Sequence, residues 1–323
     1  MNPMVPSARE VETARELLKK YLWPTRLVRA ESLERRSKGE VHLKIESDLP
    51  TGSFKPRGAL FALLTNAERG ALAGVVAAST GNHGAAVAYA ARIVNLAATI
   101  FLPENPNPVK RARILGLGAK IVERGAADQL AAIEAARMFG REHGHYFLDD
   151  SGDSLVPAGA ATIASEILDD VPRPDAIFVP MGDTALIRGV AAEAKRRHPT
   201  VRIVGVQAEQ APAYVRSWQQ GRVIVTETCD TIADGLATRH PLEANVHAIR
   251  QLVDEVRLVS ERELLDAIRL LLLDEHIVAE AAGAAATAAF LQDAAAYAGR
   301  KVVLVVTGAN ISPEVLRRAV NDN

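Results

Sequence analysis

The sequence predicts an α/β protein: parallel sheets covered by helices on both faces. Three observations lead there. Short β-branched runs recur along the whole chain, longer helical patterns separate them, and the runs are almost continuously apolar. A half-exposed strand alternates polar and apolar residues, so continuous apolarity means burial on both faces, the pattern of a parallel sheet with helical crossovers.

The elements follow in order. "VHLKIES" (41–47) reads as a strand, and a helix follows Lys55. "GVVAAS" (74–79) is a strand and "HGAAVAYAARI" (83–93) a helix. "AATIFLP" (97–103) and "AKIVER" (119–124) are strands, with helices over "PVKRARILGLG" (108–118) and "ADQLAAIEAARMFGREHG" (127–144). "DAIFVP" (175–180), "RIVGVQ" (202–207) and "KVVLVV" (301–306) are further buried strands, with helices at about 184–198 and 312–320.

Composition narrows the function. The 323 residues suggest about two domains. With 38 basic and 39 acidic residues the net charge is −1, which is no footprint for nucleic acid or an anionic membrane. Cys229 is the only cysteine, so neither an intrachain disulfide framework nor a cysteine-based zinc site is expected, and a cytoplasmic location is. The N-terminus carries no signal-peptide pattern, and apolar patches such as "AIRLLLL" (267–273) fall far short of the ~20 residues that span a bilayer. A small-molecule partner remains.

In such sheets ligands sit beyond the C-terminal ends of strands. In "PTGSFKPRGAL" (50–60), Lys55 stands beside Phe54 at a helix start. There the macrodipole and burial disfavour an ammonium ion, which suits a lysine that forms an imine. In "STGNHG" (79–84) the turn amides suit an anion such as a carboxylate, with the Asn82 side chain on a ligand oxygen; the alternative is a plain capping loop, and His83 reads as structural. In "VPMGDTALIRG" (179–189) a tight turn at Gly182 leads into a helix from Thr184, an anion cup suited to phosphate, or else a plain turn capped by Asp183. In "VVTGANIS" (305–312) the Thr307 hydroxyl suits an aromatic nitrogen, while Asn310 and Ser312 serve the turn and the next helix cap. Together, a lysine, a phosphate cup, a carboxylate loop and a hydroxyl fit pyridoxal 5'-phosphate held as a lysine Schiff base.

"SFKPRGA" (53–59), "STGNHG" (79–84), "TIADGLA" (231–237), "EAAGAAA" (280–286) and "VVTGAN" (305–310) resemble, in this order, the fold type II (β-family) pyridoxal-phosphate enzymes, which share the tryptophan synthase β-like fold. They look most like the threonine/serine dehydratase and serine racemase branch. The resemblance implies a large cofactor-binding domain from residues 1–69 and 148–323, and a small mobile domain from 70–147. It implies Lys55 as the imine lysine and the acid or base at the α-carbon, and Phe54 against the cofactor ring. Asn82 would bond the ring hydroxyl. Ser79, Thr80, Gly81, Asn82 and His83 would take the substrate carboxylate. The phosphate would lie on Gly182, Asp183, Thr184, Ala185 and Leu186. Thr307 would face the pyridine nitrogen, Gly235 would line the site, and Glu280 would stand near the cofactor. A homodimer and a small amino-acid substrate are likewise implied, and feedback control through a C-terminal regulatory domain is not expected.

Three departures stand out. The phosphate cup of this branch is a run of glycines, and here Asp183 and Thr184 interrupt it. Two charges ~6 Å apart at an effective dielectric of ~20 repel by roughly 3 kcal/mol, so Asp183 is expected to turn away and cap the following helix near Ala185 or Leu186. Thr80 stands where racemases place a serine, making it the candidate acid–base group on the face opposite the lysine. In "QAEQAPAYV" (207–215), Gln207 and Ala213 occupy positions where carboxylates would hold a cation and only Glu209 is acidic, so no metal is expected.

The expected reaction is β-elimination from a β-hydroxy amino acid such as L-threonine or L-serine, giving a 2-oxo acid and ammonia. The alternatives are a threonine synthase-like or cysteine synthase-like replacement enzyme, and serine racemase. Arg239 and His240 either line the distal pocket or sit in a surface loop.

Overall fold

A computed structural model of the chain describes residues 4–70, 72–79, 81–102, 108–123 and 129–321. Among them are ten strands: β1 (Leu27–Arg29), β2 (Glu40–Ile45), β3 (Val75–Ala78), β4 (Ala98–Leu102), β5 (Lys120–Glu123), β6 (Tyr146–Phe147), β7 (Ala176–Pro180), β8 (Arg202–Ala208), β9 (Glu255–Val259) and β10 (Lys301–Val306). One sheet has the order β1-β2-β10-β7-β8-β9, the other β5-β4-β3-β6. Every pairing is parallel except β1 on β2, as the apolar runs require.

Strands β4 and β7 are buried at every position, and β10 at all but Lys301. The three unanticipated strands are all weak signals. β1 and β6 are two or three residues long, and β9 ("EVRLV") is a half-buried edge whose charges interrupt its apolar run. Helices Val156–Asp170 and Ala281–Leu291 were also silent as periodicities. Both are buried almost all round, so neither shows an amphipathic stripe.

Strands β3 to β6 fall within residues 70–147. The apolar core beneath their sheet extends beyond that interval, because Leu60, Phe61 and Leu63 of helix Pro56–Arg69 share it with Val75, Val87 and Ile100.

Helix Pro56–Arg69 begins one residue after Lys55, and charge anchors its first turn. The Arg57 side chain is 2% exposed. Its Nε and one Nη reach the two oxygens of Glu46 at 2.8 and 3.0 Å, and both Nη atoms reach Glu166 at 2.5 and 2.8 Å. Lys44, fully buried on β2, donates to Glu166 at 2.5 Å and to the Thr25 carbonyl at 2.7 Å. Burial opposes the Arg57 charge, but Glu46 and Glu166 overcome it and hold the guanidinium firmly protonated. Two cations and two carboxylates thus balance inside the fold, and removing one member strands the rest. Arg57→Met is expected to lower unfolding stability by about 3–5 kcal/mol in urea titration at neutral pH.

Candidate active site

Strands β2, β10 and β7 are neighbours in the larger sheet, and β3 belongs to the other. The segments that follow these four strands meet around one cavity of about 230 Å³. Phe54 and Lys55 come to it from beyond β2, and Ser79, Gly81, Asn82 and His83 from beyond β3. Gly182, Asp183, Thr184, Ala185 and Leu186 follow β7, and Thr307 follows β10. Gly235 and Glu280 complete the set. Thr80 lies outside the described residues. Arg239 and His240 do not line the cavity; both are exposed, and Arg239 Nε donates to the Thr226 carbonyl at 3.2 Å.

Sequence reasoning missed Asp150. This residue lies beyond β6, and its Oδ2 is in contact with Lys55 Nζ. The site therefore pairs the lysine ammonium, where the helix start alone was expected to discourage it. The partner is 95 residues away in sequence, so no local pattern could reveal it. Lys55 Nζ also lies 5.0 Å from the centroid of the Phe54 ring. Burial pushes the Asp150 carboxyl upward, but Lys55 and then His83 more than offset it, and the net shift is downward. His83 Nε2 lies 3.0 Å from the Leu148 carbonyl, which can only accept, so Nε2 carries a proton; Nδ1 faces Asp150 Oδ1 at 3.5 Å.

Asn82 begins helix Asn82–Ile93 and is held on both sides of its amide. Its Nδ2 donates to Glu280 Oε1 at 2.6 Å, and its Oδ1 accepts from Asn310 Nδ2 at 2.6 Å. Asn310 Nδ2 also reaches the Thr51 carbonyl at 2.9 Å. Asn310 is therefore a strut of the site where only a turn residue was expected, while Ser312 does cap its helix through Val315 N.

The turn after β7 needs glycine at its first position. A Cβ on Gly182 would collide with the Gly235 carbonyl oxygen, a backbone atom no side-chain rotation can move. Thr184 adopts φ 69°, a left-handed conformation that costs a non-glycine residue about 1–2 kcal/mol. Arg188, one turn into helix Ala185–Arg197 and fully buried, donates from Nε to Thr184 Oγ1 at 3.1 Å. Its other nitrogens donate to the carbonyls of Met4 and Ser151 at 2.9 and 3.0 Å. Burial lowers the Arg188 pKa to about 10, against the pull of Tyr214, Asp150 and Asp183.

Asp183 does not cap the helix. The helix start has no side-chain cap, and Asp183 Oδ1 instead accepts from Thr238 Oγ1 at 3.0 Å. With Thr184 in a left-handed conformation, the carboxyl faces the loop that carries Gly235.

The family model described as "Pyridoxal-phosphate dependent enzyme" matches residues 18–308. The chain belongs to this family. An L-threonine ammonia-lyase of Thermotoga maritima is 36% identical over 312 residues, 97% of this chain and 77% of that protein. A catabolic L-threonine dehydratase of Staphylococcus aureus is 33% identical over 311 residues, covering 95% of this chain and 90% of its own. Among solved structures, a T.th. threonine deaminase superposes with a TM-score of 0.89 at 33% identity, covering 95% of this chain and 99% of that one. Maize serine racemase gives 0.90 at 26%, covering 98% and 97%.

The cavity of this pyridoxal-phosphate enzyme fits its cofactor. The first helical hydrogen bond after the turn runs from Arg188 N to Thr184 O, which leaves the amides of Ala185, Leu186 and Ile187 without intrahelical acceptors, as an anion requires. The Lys55 amine, the Phe54 ring, the second amide proton of Asn82 and the Thr307 hydroxyl complement the remaining groups of the cofactor. Because the Gly182 contact is backbone on backbone, Gly182→Ala is expected to displace the cup and weaken cofactor binding by about tenfold or more, measured by absorbance titration of the apoprotein.

Proposed function

We propose that this enzyme is an ammonia-lyase that removes water from a small β-hydroxy amino acid such as L-threonine or L-serine and releases a 2-oxo acid and ammonia. The observation that carries this reading is the shared cavity of Lys55, the turn after β3 and the phosphate cup, in a chain whose relatives are named for that reaction. When bound, pyridoxal phosphate supplies an electron sink that makes the substrate Cα–H acidic.

The protein supplies position and proton transfer. The start of helix Asn82–Ile93, with Ser79 and Gly81 before it, orients the substrate carboxylate. Lys55 Nζ takes the α-proton. Asp150 holds that amine in place whenever it is free and charged. Thr307 presents a hydroxyl to the pyridine nitrogen, and a hydroxyl does not force that nitrogen to be protonated as a carboxylate would, so elimination is favoured over transamination. In the same proposal residues 70–147 close as a small domain over the larger part, and the enzyme is a cytoplasmic homodimer. Among the described residues no helix is long and apolar enough to cross a membrane. The similarity to maize serine racemase supports a second reading as a racemase, with Thr80 as the acid–base group on the opposite face.

Three measurements test the reading. Lys55→Ala is expected to abolish 2-oxo acid release from L-threonine and L-serine together with the imine absorbance band; a variant that keeps both refutes it. L-serine is expected to yield far more pyruvate than D-serine, and comparable yields would favour the racemase. Magnesium is expected to leave the rate within about twofold, because hard cations need several oxygen ligands. Gln207 is buried with its Oε1 on Val215 N at 3.0 Å, and Glu209 is exposed, so residues 207–215 offer a single carboxylate.

A further inference from the structure

The lining of the cavity restricts the side chain a substrate can bring. Among the described residues that line it, Lys55 and His83 are the groups that can carry positive charge, against the carboxyls of Asp150, Asp183, Asp234 and Glu280. A side chain ending in a carboxylate would find no arginine and no second lysine there. Arg188 stands behind the cup, and its nitrogens are engaged by Thr184, Met4 and Ser151. Of the four carboxyls, Asp150 touches Lys55 Nζ through Oδ2. Its Oδ1 is buried without a hydrogen-bond partner among the described residues, and His83 Nδ1 faces it at 3.5 Å.

Contact with Lys55 fixes where this carboxylate stands relative to a substrate. When Lys55 takes the α-proton, the substrate Cα lies within about 3–3.5 Å of Nζ. A carboxylate that touches the same nitrogen then stands beside the groups that Cα carries. One of these, the substrate carboxylate, is drawn to the helix start at Asn82, and another, the amino group, is bonded to the cofactor. The side chain is left to meet Asp150.

We propose that Asp150 sets the side-chain class of the substrate: it accepts a hydrogen bond from a neutral β-hydroxyl and excludes anionic side chains. The inference rests on the ammonia-lyase reading, through Lys55 as the base, and deepens it. Burial pushes the Asp150 carboxyl up, but Lys55 and then His83 more than offset it, so the group meets a substrate ionised. A hydroxyl can donate to Oδ1, whereas an ionised carboxylate only accepts. Two negative charges about 5 Å apart at an effective dielectric of ~20 repel enough to cost on the order of 100-fold in affinity. This selection is separate from the hold on Lys55. The hold acts on every substrate alike, and the charge acts only on those whose side chain is charged.

The test compares an isosteric pair on the holoenzyme. L-asparagine and L-aspartate differ in charge but hardly in size, and their binding is followed by the shift in cofactor absorbance. The wild type is expected to bind L-asparagine about 100-fold more tightly than L-aspartate. Asp150→Asn keeps the size of the side chain and an acceptor oxygen. It is expected to narrow that ratio to about tenfold or less, the remainder coming from the other carboxyls. In turnover, the variant's kcat/KM on L-threo-3-hydroxyaspartate relative to L-serine is expected to rise about tenfold or more, while its KM for L-serine stays within about threefold. Equal wild-type affinities overturn the assignment. So does a wild type that binds neither amino acid, because size and not charge then excludes them. A ratio unchanged in Asp150→Asn overturns it too, since a loss shared by all ligands is what the hold on Lys55 alone produces. If Asp150→Asn does not fold, Asp150→Ser, which also removes the charge, is held to the same narrowing, and an unchanged ratio again overturns the proposal. Wild-type enzyme that releases a 2-oxo acid from neither L-serine nor L-threonine would instead refute the ammonia-lyase reading.

Discussion

The buried guanidinium of Arg57, clamped between Glu46 and Glu166, is the constraint on which the site depends. It lies two residues from Lys55, and its partners come from the segment after β2 and from helix Val156–Asp170. Lys55 therefore stands at the end of a helix whose first turn cannot shift without exposing or stranding buried charge. Two ions removed from water lose several kcal/mol of hydration each, and only dense mutual contacts offset that loss. Such a network adds little net stability over a well-packed apolar core, but it tolerates little misalignment. That property suits the role proposed for Lys55, a base in proton transfer, where an ångström of error is expensive.

Around that fixed point the sheet topology gathers the remaining groups. Three adjacent strands of the larger sheet, β2, β10 and β7, deliver the lysine, the Thr307 hydroxyl and the phosphate cup at one edge. The other sheet delivers the turn before Asn82. Asn82 is then joined to Glu280 and Asn310, which belong to segments flanking the larger sheet. The hydrogen bonds at Asn82 thus tie the turn after β3 to the rest of the cavity.

The cup shows how a departure from a family pattern is accommodated. A glycine run can adopt left-handed backbone without strain; Thr184 adopts it with strain, and a buried arginine holds its hydroxyl. Arg188 also places positive charge behind a turn that contains Asp183. The charge change and its compensation lie five residues apart in "DTALIR" (183–188), yet only the fold shows that they face the same space.

The sequence alone determined the local parts. Continuous apolar runs specified buried parallel strands, because a strand covered on both faces has no polar positions. Glycine and small polar residues after those runs marked the loops that line the cavity, because turns and anion-binding amides need those residue types. The tertiary structure alone decided the pairings. Asp150 reaches Lys55 across 95 residues, and Asn310 reaches Asn82 across 228. Asp183 turns to Thr238, 55 residues away, and the helix that follows it starts with a left-handed Thr184 and no side-chain cap. Residue type and period are properties of neighbouring positions along the chain. The choice among several possible partners for a buried carboxylate depends on which segments the sheet order places side by side, and no window of sequence contains that.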